Sequence, residues 1–138
     1  MVGLGDALRQ NVAENPAQSR DDDLSLEELR ARFKDSTRGR PCAVCGSRLF
    51  VEAHHVVYRQ VVREICRESG INSAVPEWDT RNALPVCKVC HAQHHGRAIP
   101  IARVVLIEKA PLAFQFAREL GPKALNHIKR AYPMRATT

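Results

Sequence analysis

Residues 42–57 read CAVCGSRLFVEAHHVV and residues 81–95 read RNALPVCKVCHAQHH. Each stretch carries one Cys-x-x-Cys pair, Cys42 with Cys45 and Cys87 with Cys90, and 41 residues separate the two pairs. Together they offer four thiolates, the donor set of a closed tetrahedral zinc site with Zn–S contacts of ~2.3 Å. Disulfides do not suit a reducing compartment, and a redox Cys-x-x-Cys needs a βαβ context that this chain lacks. Structural zinc is therefore the expectation. Gly46, just after the first pair, suits the tight turn that brings backbone N–H groups to the sulfurs. Four cysteines leave no coordination position open to water or substrate, so this zinc is a staple and any chemistry must come from other residues.

Those residues are histidines. Five of the six lie beside the knuckles: His54, His55, His91, His94 and His95. The apolar, β-branched run over residues 49–57 predicts a strand, on which His54 and His55 face opposite sides and so have different roles. Residues 87–97 predict a helix opened by the second knuckle. On it His91 and His95 stand at i and i+4, the spacing that lets two imidazoles grip one ion, and Cys90 points about 100° away from His91. Two separate metal sites are thus geometrically allowed. His94 at i+3 also faces His91 and competes with His95 for the place of third ligand.

Ala53-His54-His55-Val56, then Arg81-Asn82-Ala83-Leu84-Pro85-Val86-Cys87, then Cys90-His91-Ala92-Gln93-His94-His95 resemble the motif of the HNH, or ββα-metal, nucleases over residues 42–97. The resemblance implies an α+β fold: a small ββα-metal core with a structural four-cysteine zinc site, flanked by N- and C-terminal helices. It implies that His55 is the general base, that His54 and His91 bind a catalytic divalent cation with His95 as third ligand, and that Asn82 holds the general-base loop in register. Many members carry Asp where His54 stands, so this all-imidazole set favours transition metals over Mg²⁺, with Mg²⁺, Mn²⁺, Ni²⁺ and Zn²⁺ all open as the catalytic cation. The segment between Tyr58 and Arg81 is longer than the family's short loop. Independently of the resemblance, a neutral imidazole with an ordinary pKa near ~6.5 can take a proton from water, and histidine ligands must be deprotonated to bind metal, so activity should fall at low pH.

The rest of the chain is punctuation and packing. Ser25-Leu26-Glu27-Glu28 is a capping box opening a helix over residues 25–34, with Leu26, Leu29 and Phe33 on its apolar face and packing as its only expected role. A helix is expected over 59–68, an irregular stretch from Ser69 to Arg81 and a second strand over 83–86. Cys66 reads as a buried, inert thiol. Beyond Pro100, Leu112, Phe116 and Leu120 share one face, as do Leu125, Ile128 and Tyr132, with a break at Gly121-Pro122, which predicts two helices packed on the metal domain. The domains expected are a mobile leader and short helix over 1–35, the nuclease core over 36–100 and a helical extension over 101–138.

Charge and length bound the function. The chain has 138 residues, 5% of them aromatic, which fits one small domain whose modest core needs a metal as an extra constraint. Residues 1–35 hold five basic and eight acidic residues, whereas 36–138 hold sixteen and seven, so the core carries +9 and attracts polyanions. No stretch has the pattern of a secretory signal or a membrane span, which points to a cytoplasmic protein, in host cytoplasm if phage-encoded. The expected activity is hydrolysis of phosphodiester bonds in double-stranded DNA, by nicking or double-strand cleavage. Arg59, Arg63, Arg81, Lys88 and Arg97 are candidate phosphate contacts. Arg38-Gly39-Arg40-Pro41 also has the composition of an AT-hook core, although basic linkers are common. The alternatives are a zinc-stapled DNA-binding module without catalysis and a phage packaging accessory that nicks beside a terminase.

Overall fold

The computed structural model describes residues 23–96 and 98–135. Arg97 and nearly all of the leader expected over 1–23 lie outside the described residues, within which the chain is α+β with one two-stranded antiparallel sheet and seven α-helices. Helix α1 spans Leu26–Asp35 and starts at the expected capping box, the Ser25 hydroxyl accepting the Glu28 N–H at 3.1 Å and the Glu28 carboxylate accepting the Ser25 N–H at 3.2 Å. Leu29 and Phe33 are buried; Leu26, in the first turn, is exposed.

Strand β1 (Val51–His55) pairs with β2 (Ala83–Cys87), setting His54 opposite Leu84 and His55 opposite Ala83. The strand is shorter than the apolar run that suggested it. Leu49 and Phe50 stand exposed before it, while Val56 and Val57 leave the ladder and are fully buried. The buried Asn82 explains the exit, because its carboxamide takes over the backbone of Val57, accepting the N–H at 2.8 Å and donating to the carbonyl at 2.9 Å. A ladder partner is replaced by a side chain that satisfies the same two groups.

Between the strands run α2 (Arg59–Glu68), the short α3 (Ala74–Glu77) and a 3-10 turn at Thr80–Asn82, so the stretch expected to be irregular carries a helical turn of its own. Helix α4 (Lys88–His95) follows β2 directly, with the Cys87 sulfur accepting the Cys90 N–H as its N-cap. Beyond it lie α5 (Arg103–Lys109), α6 (Pro111–Leu120) and α7 (Pro122–Ala131). Two helices were expected here. The third, α5, buries only Leu106 among its residues and so has no periodic apolar face to read. On α6 the buried face is Ala113, Phe116, Ala117 and Leu120, with Leu112 exposed. Gly121, at φ 108°, and Pro122 make the expected break.

The sheet has a cluster on each side. The larger joins the knuckle residues Cys42, Cys87 and Cys90 to Val62, Leu84, Phe116, Ile128 and Tyr132; the smaller contains Leu29, Phe33, Trp78 and Ala83. Aliphatic and alanine side chains from α6 and α7 thus supply core that the few aromatics do not, and the C-terminal helices share one interior with the cysteine knuckles. Cys66 is fully buried, and burial pushes its thiol up to about 11, which keeps it protonated and inert. Among the described residues, no helix is long and apolar enough to cross a membrane.

Candidate metal sites and general base

Cys42, Cys45, Cys87 and Cys90 converge, their sulfurs all within 4.8 Å of one another. The first knuckle closes because Gly46 adopts φ 79° and donates its N–H to the Cys42 carbonyl at 2.9 Å, and the Ala43 N–H donates to the Pro85 carbonyl at 2.8 Å, fastening the knuckle to β2. The second lies where β2 ends and α4 begins. Cys45 Sγ is 3.7 Å from Cys87 Sγ. A tetrahedron with ~2.3 Å arms has edges of about 3.8 Å, so this donor set fits one tetrahedral metal ion. Burial opposes ionisation of Cys42, but the N–H groups of Cys45, Cys87 and Val44 outweigh it and hold the thiol down to about 7.

A second cluster sits on the next residue of the same helix. His54, His91 and His95 each present a ring nitrogen, and these atoms lie within 4.8 Å of one another. His91 and His95 bring their Nε2 atoms to 3.0 Å, close to the ~3.3 Å edge of a tetrahedron with nitrogen arms of ~2.0–2.1 Å. His91 Nδ1 lies 3.7 Å from a Glu52 carboxylate oxygen on β1. His54 is 1% exposed, and its tautomer follows from its surroundings. Tyr132 donates its hydroxyl proton to the Val56 carbonyl at 2.6 Å, so its oxygen must accept from His54 Nε2–H at 2.7 Å. That leaves the lone pair on His54 Nδ1. Burial, followed by the neighbouring imidazoles, holds His54 well below its ordinary pKa, so the ring is neutral with its Nδ1 lone pair available.

His94, the competitor for the third position, has no nitrogen to spare. Its Nδ1 accepts the Ile101 N–H at 2.9 Å, so the proton sits on Nε2, which is hydrogen-bonded to the Tyr58 hydroxyl. It ties α4 to the chain beyond it, and burial lowers its pKa to about 4.

His55 faces the other side of β1, as strand alternation requires. Phe33 of α1 stacks on it at 4.1 Å between centroids, and Trp78 meets it edge-on at 5.1 Å. Its Nε2 is 3.0 Å from the Glu77 carbonyl; a carbonyl only accepts, so Nε2 carries the proton and Nδ1 the free lone pair. Burial lowers its pKa to about 4, so at neutral pH it is an unprotonated base. Helix α1 therefore does more than pack: it supplies the aromatic wall that orients this ring. The Asn82 side chain bonds the Val57 backbone and its carbonyl accepts the Val56 N–H at 2.9 Å, so the residue holds the turn after β1 in place.

Several expected phosphate contacts are otherwise engaged. Arg59 and Arg63 both hold a Glu77 carboxylate oxygen, at 2.8 Å and 2.7 Å, and Arg59 also lies over Trp78. Although burial pushes the Glu77 carboxyl up, these two guanidinium groups draw it below its usual range. Arg81 pairs with Asp79 and Glu119 and bridges the 3-10 turn to α6. All three arginines brace the loop whose carbonyl orients His55. Lys88 is exposed and has no ion pair among the described residues. Glu77, Phe33, Trp78, Tyr58 and Tyr132 are the residues around the site that the sequence did not single out; none sits in a metal-ligand or nuclease motif. In comparisons with known proteins, the chain matches no family model, no curated protein and no solved structure.

Proposed function

We propose that the protein is a metal-dependent DNA endonuclease of HNH type whose four-cysteine site holds structural zinc. One observation carries this reading: adjacent residues of β1 offer a neutral imidazole base on one face and complete a three-imidazole cluster on the other. In the proposed reaction, His55 Nδ1 takes a proton from a water that attacks the phosphorus, and the bond to O3′ breaks with the departing oxygen taking a proton from solvent water, leaving 5′-phosphate and 3′-hydroxyl ends. Glu77 keeps the base in the required tautomer, and Asn82 keeps the turn after β1 in place. His54, His91 and His95 are the residues that would hold the divalent cation, which when bound supplies Lewis-acid stabilisation of charge on the phosphodiester. Three imidazole donors favour Mn²⁺, Ni²⁺ or Zn²⁺ over Mg²⁺. The test is incubation of purified protein with supercoiled plasmid and each ion in turn. Nicked or linear product is expected; a retarded plasmid that stays supercoiled would instead support a binding module.

The hydroxyl of Tyr132 gives a sharper check on the cluster. Tyr132→Phe keeps the ring and removes the group that holds the proton on His54 Nε2. Loss of such an orienting partner typically weakens metal binding by about 10- to 100-fold, and Ni²⁺ titration of zinc-loaded protein should show a Kd raised by that factor. An unchanged Kd would mean that the hydroxyl only packs.

A further inference from the structure

Four further cations gather on one side of β1. Lys34 near the end of α1, Arg38 and Arg40 in the turns that follow, and Arg48 just ahead of β1 line a cavity of about 510 Å³ floored by Val51 and Ala53. Val51 and Ala53 alternate along the strand with His55, so cavity floor and base share one face of β1. Glu52 is the single acid on its wall among the described residues. Lys34 and Arg40 have no ion pair among the described residues, and the Arg38–Asp35 pair, 2.8 Å apart with side chains 80% and 54% exposed, is of the kind that exchanges readily for another partner. Arg48 donates to the Gly39 carbonyl at 3.3 Å and so ties the approach to β1 to the turn. Gly39 makes that turn at φ 75°, with the Arg40 N–H donating to the Thr37 carbonyl at 3.1 Å.

A groove walled by four cations, with Glu52 its one lining acid among the described residues and Asp35 on Arg38 a second, keeps an excess of positive charge that complements a run of regularly spaced anions. We propose that it seats the sugar-phosphate backbone of duplex DNA, so that a strand lying along β1 continues to His55. The inference rests on the endonuclease reading, which supplies the reason for a duplex rather than another polyanion. Phosphates neutralised here release counterions, so affinity through this groove must carry a matching salt dependence. Lys34, Arg38, Arg40 and Arg48 act on the substrate away from the scissile bond, and they position it without choosing sequence.

The test is fluorescence anisotropy of a short labelled duplex with the full chain, carrying His55→Ala so that the DNA survives, at salt between about 50 and 200 mM. Adding Lys34→Gln and Arg40→Gln is expected to weaken binding and to lower the slope of log affinity against log salt by about 1.8, or 0.9 per lost phosphate contact. The charge-matched pair Lys129→Gln and Arg130→Gln on α7 is expected to leave the slope unchanged. Both positions in the groove pair are exposed, and a matching thermal midpoint establishes that the fold is retained; Lys34→Gln alone, with a slope loss of about 0.9, serves if the pair is unstable. An unchanged slope in the groove variants, an equal loss in the α7 variant, or retention of the protein on phosphatidylserine vesicles but not on duplex would each overturn the proposal. The two readings fail separately: plasmid cleavage with an unchanged slope sinks the groove alone, whereas the expected slope loss without plasmid cleavage sinks the nuclease reading alone.

Discussion

His55→Ala is expected to lower plasmid nicking by about 10² to 10⁴, the range that a general base contributes, with the fold retained. The ring is half-buried between Phe33 and Trp78, and its Nε2 is hydrogen-bonded to the Glu77 carbonyl. Removing it leaves a gap against two aromatic side chains and frees the carbonyl of the buried Glu77, a cost of about 1–3 kcal/mol. The three cluster imidazoles lie on the opposite face of β1 and keep their geometry. Ni²⁺ affinity of the variant should therefore equal that of the wild type, and the loss should fall on kcat with KM for DNA little changed, because a group that acts only as the reaction proceeds does not contribute to ground-state binding. Equal loss in metal affinity and rate would place His55 among the ligands instead.

Cys87→Ala is expected to do the reverse, abolishing cooperative unfolding along with bound zinc. Cys87 ends β2, caps α4 and sits 3.7 Å from Cys45 across the four-sulfur cluster, so its sulfur joins the strand, the helix and the first knuckle. Zinc held by four thiolates contributes about 10–16 kcal/mol of folding free energy in small metal-dependent modules, against about 5–15 kcal/mol of total stability for an ordinary domain. Losing one ligand is then enough to bring the molecule to the edge of unfolding. Circular dichroism melts with zinc quantified by a colorimetric chelator will show it, and excess chelator should reproduce the effect on the wild type. A variant that kept a sharp transition near the wild-type temperature would mean that α5, α6 and α7 hold the domain without the ion. Between them, the two substitutions separate a residue that supports chemistry from one that supports the fold.

The candidate site was partly legible because some of its geometry is short-ranged. Alternation along a strand puts His54 and His55 on opposite faces wherever the strand goes, and the 100° step of a helix turns Cys90 and His91 toward different clusters. Helical spacing does not separate His94 from His95, since both lie within reach of His91 on one helix. The choice came from the Ile101 N–H and the Tyr58 hydroxyl, neither of which has a fixed helical relation to His94. The arginines misled for a similar reason. Arg59, Arg63 and Arg81 look like free cations in a basic chain, and only folding reveals Glu77, Asp79 and Glu119 against them.

What belonged to the sequence alone was everything set by covalent spacing: the two knuckles, the capping box at Ser25, the break at Gly121-Pro122, the opposed histidines and the excess of positive charge beyond residue 35. What waited for tertiary structure was every proton position and every counter-charge. Tyr132 reaches His54 from 78 residues away, and the Glu77 carbonyl reaches His55 from 22. Local periodicity is dictated by the backbone of a few neighbouring residues, whereas a tautomer is dictated by whichever donor or acceptor the packed chain brings to the other ring nitrogen, and that partner has no obligatory distance in sequence.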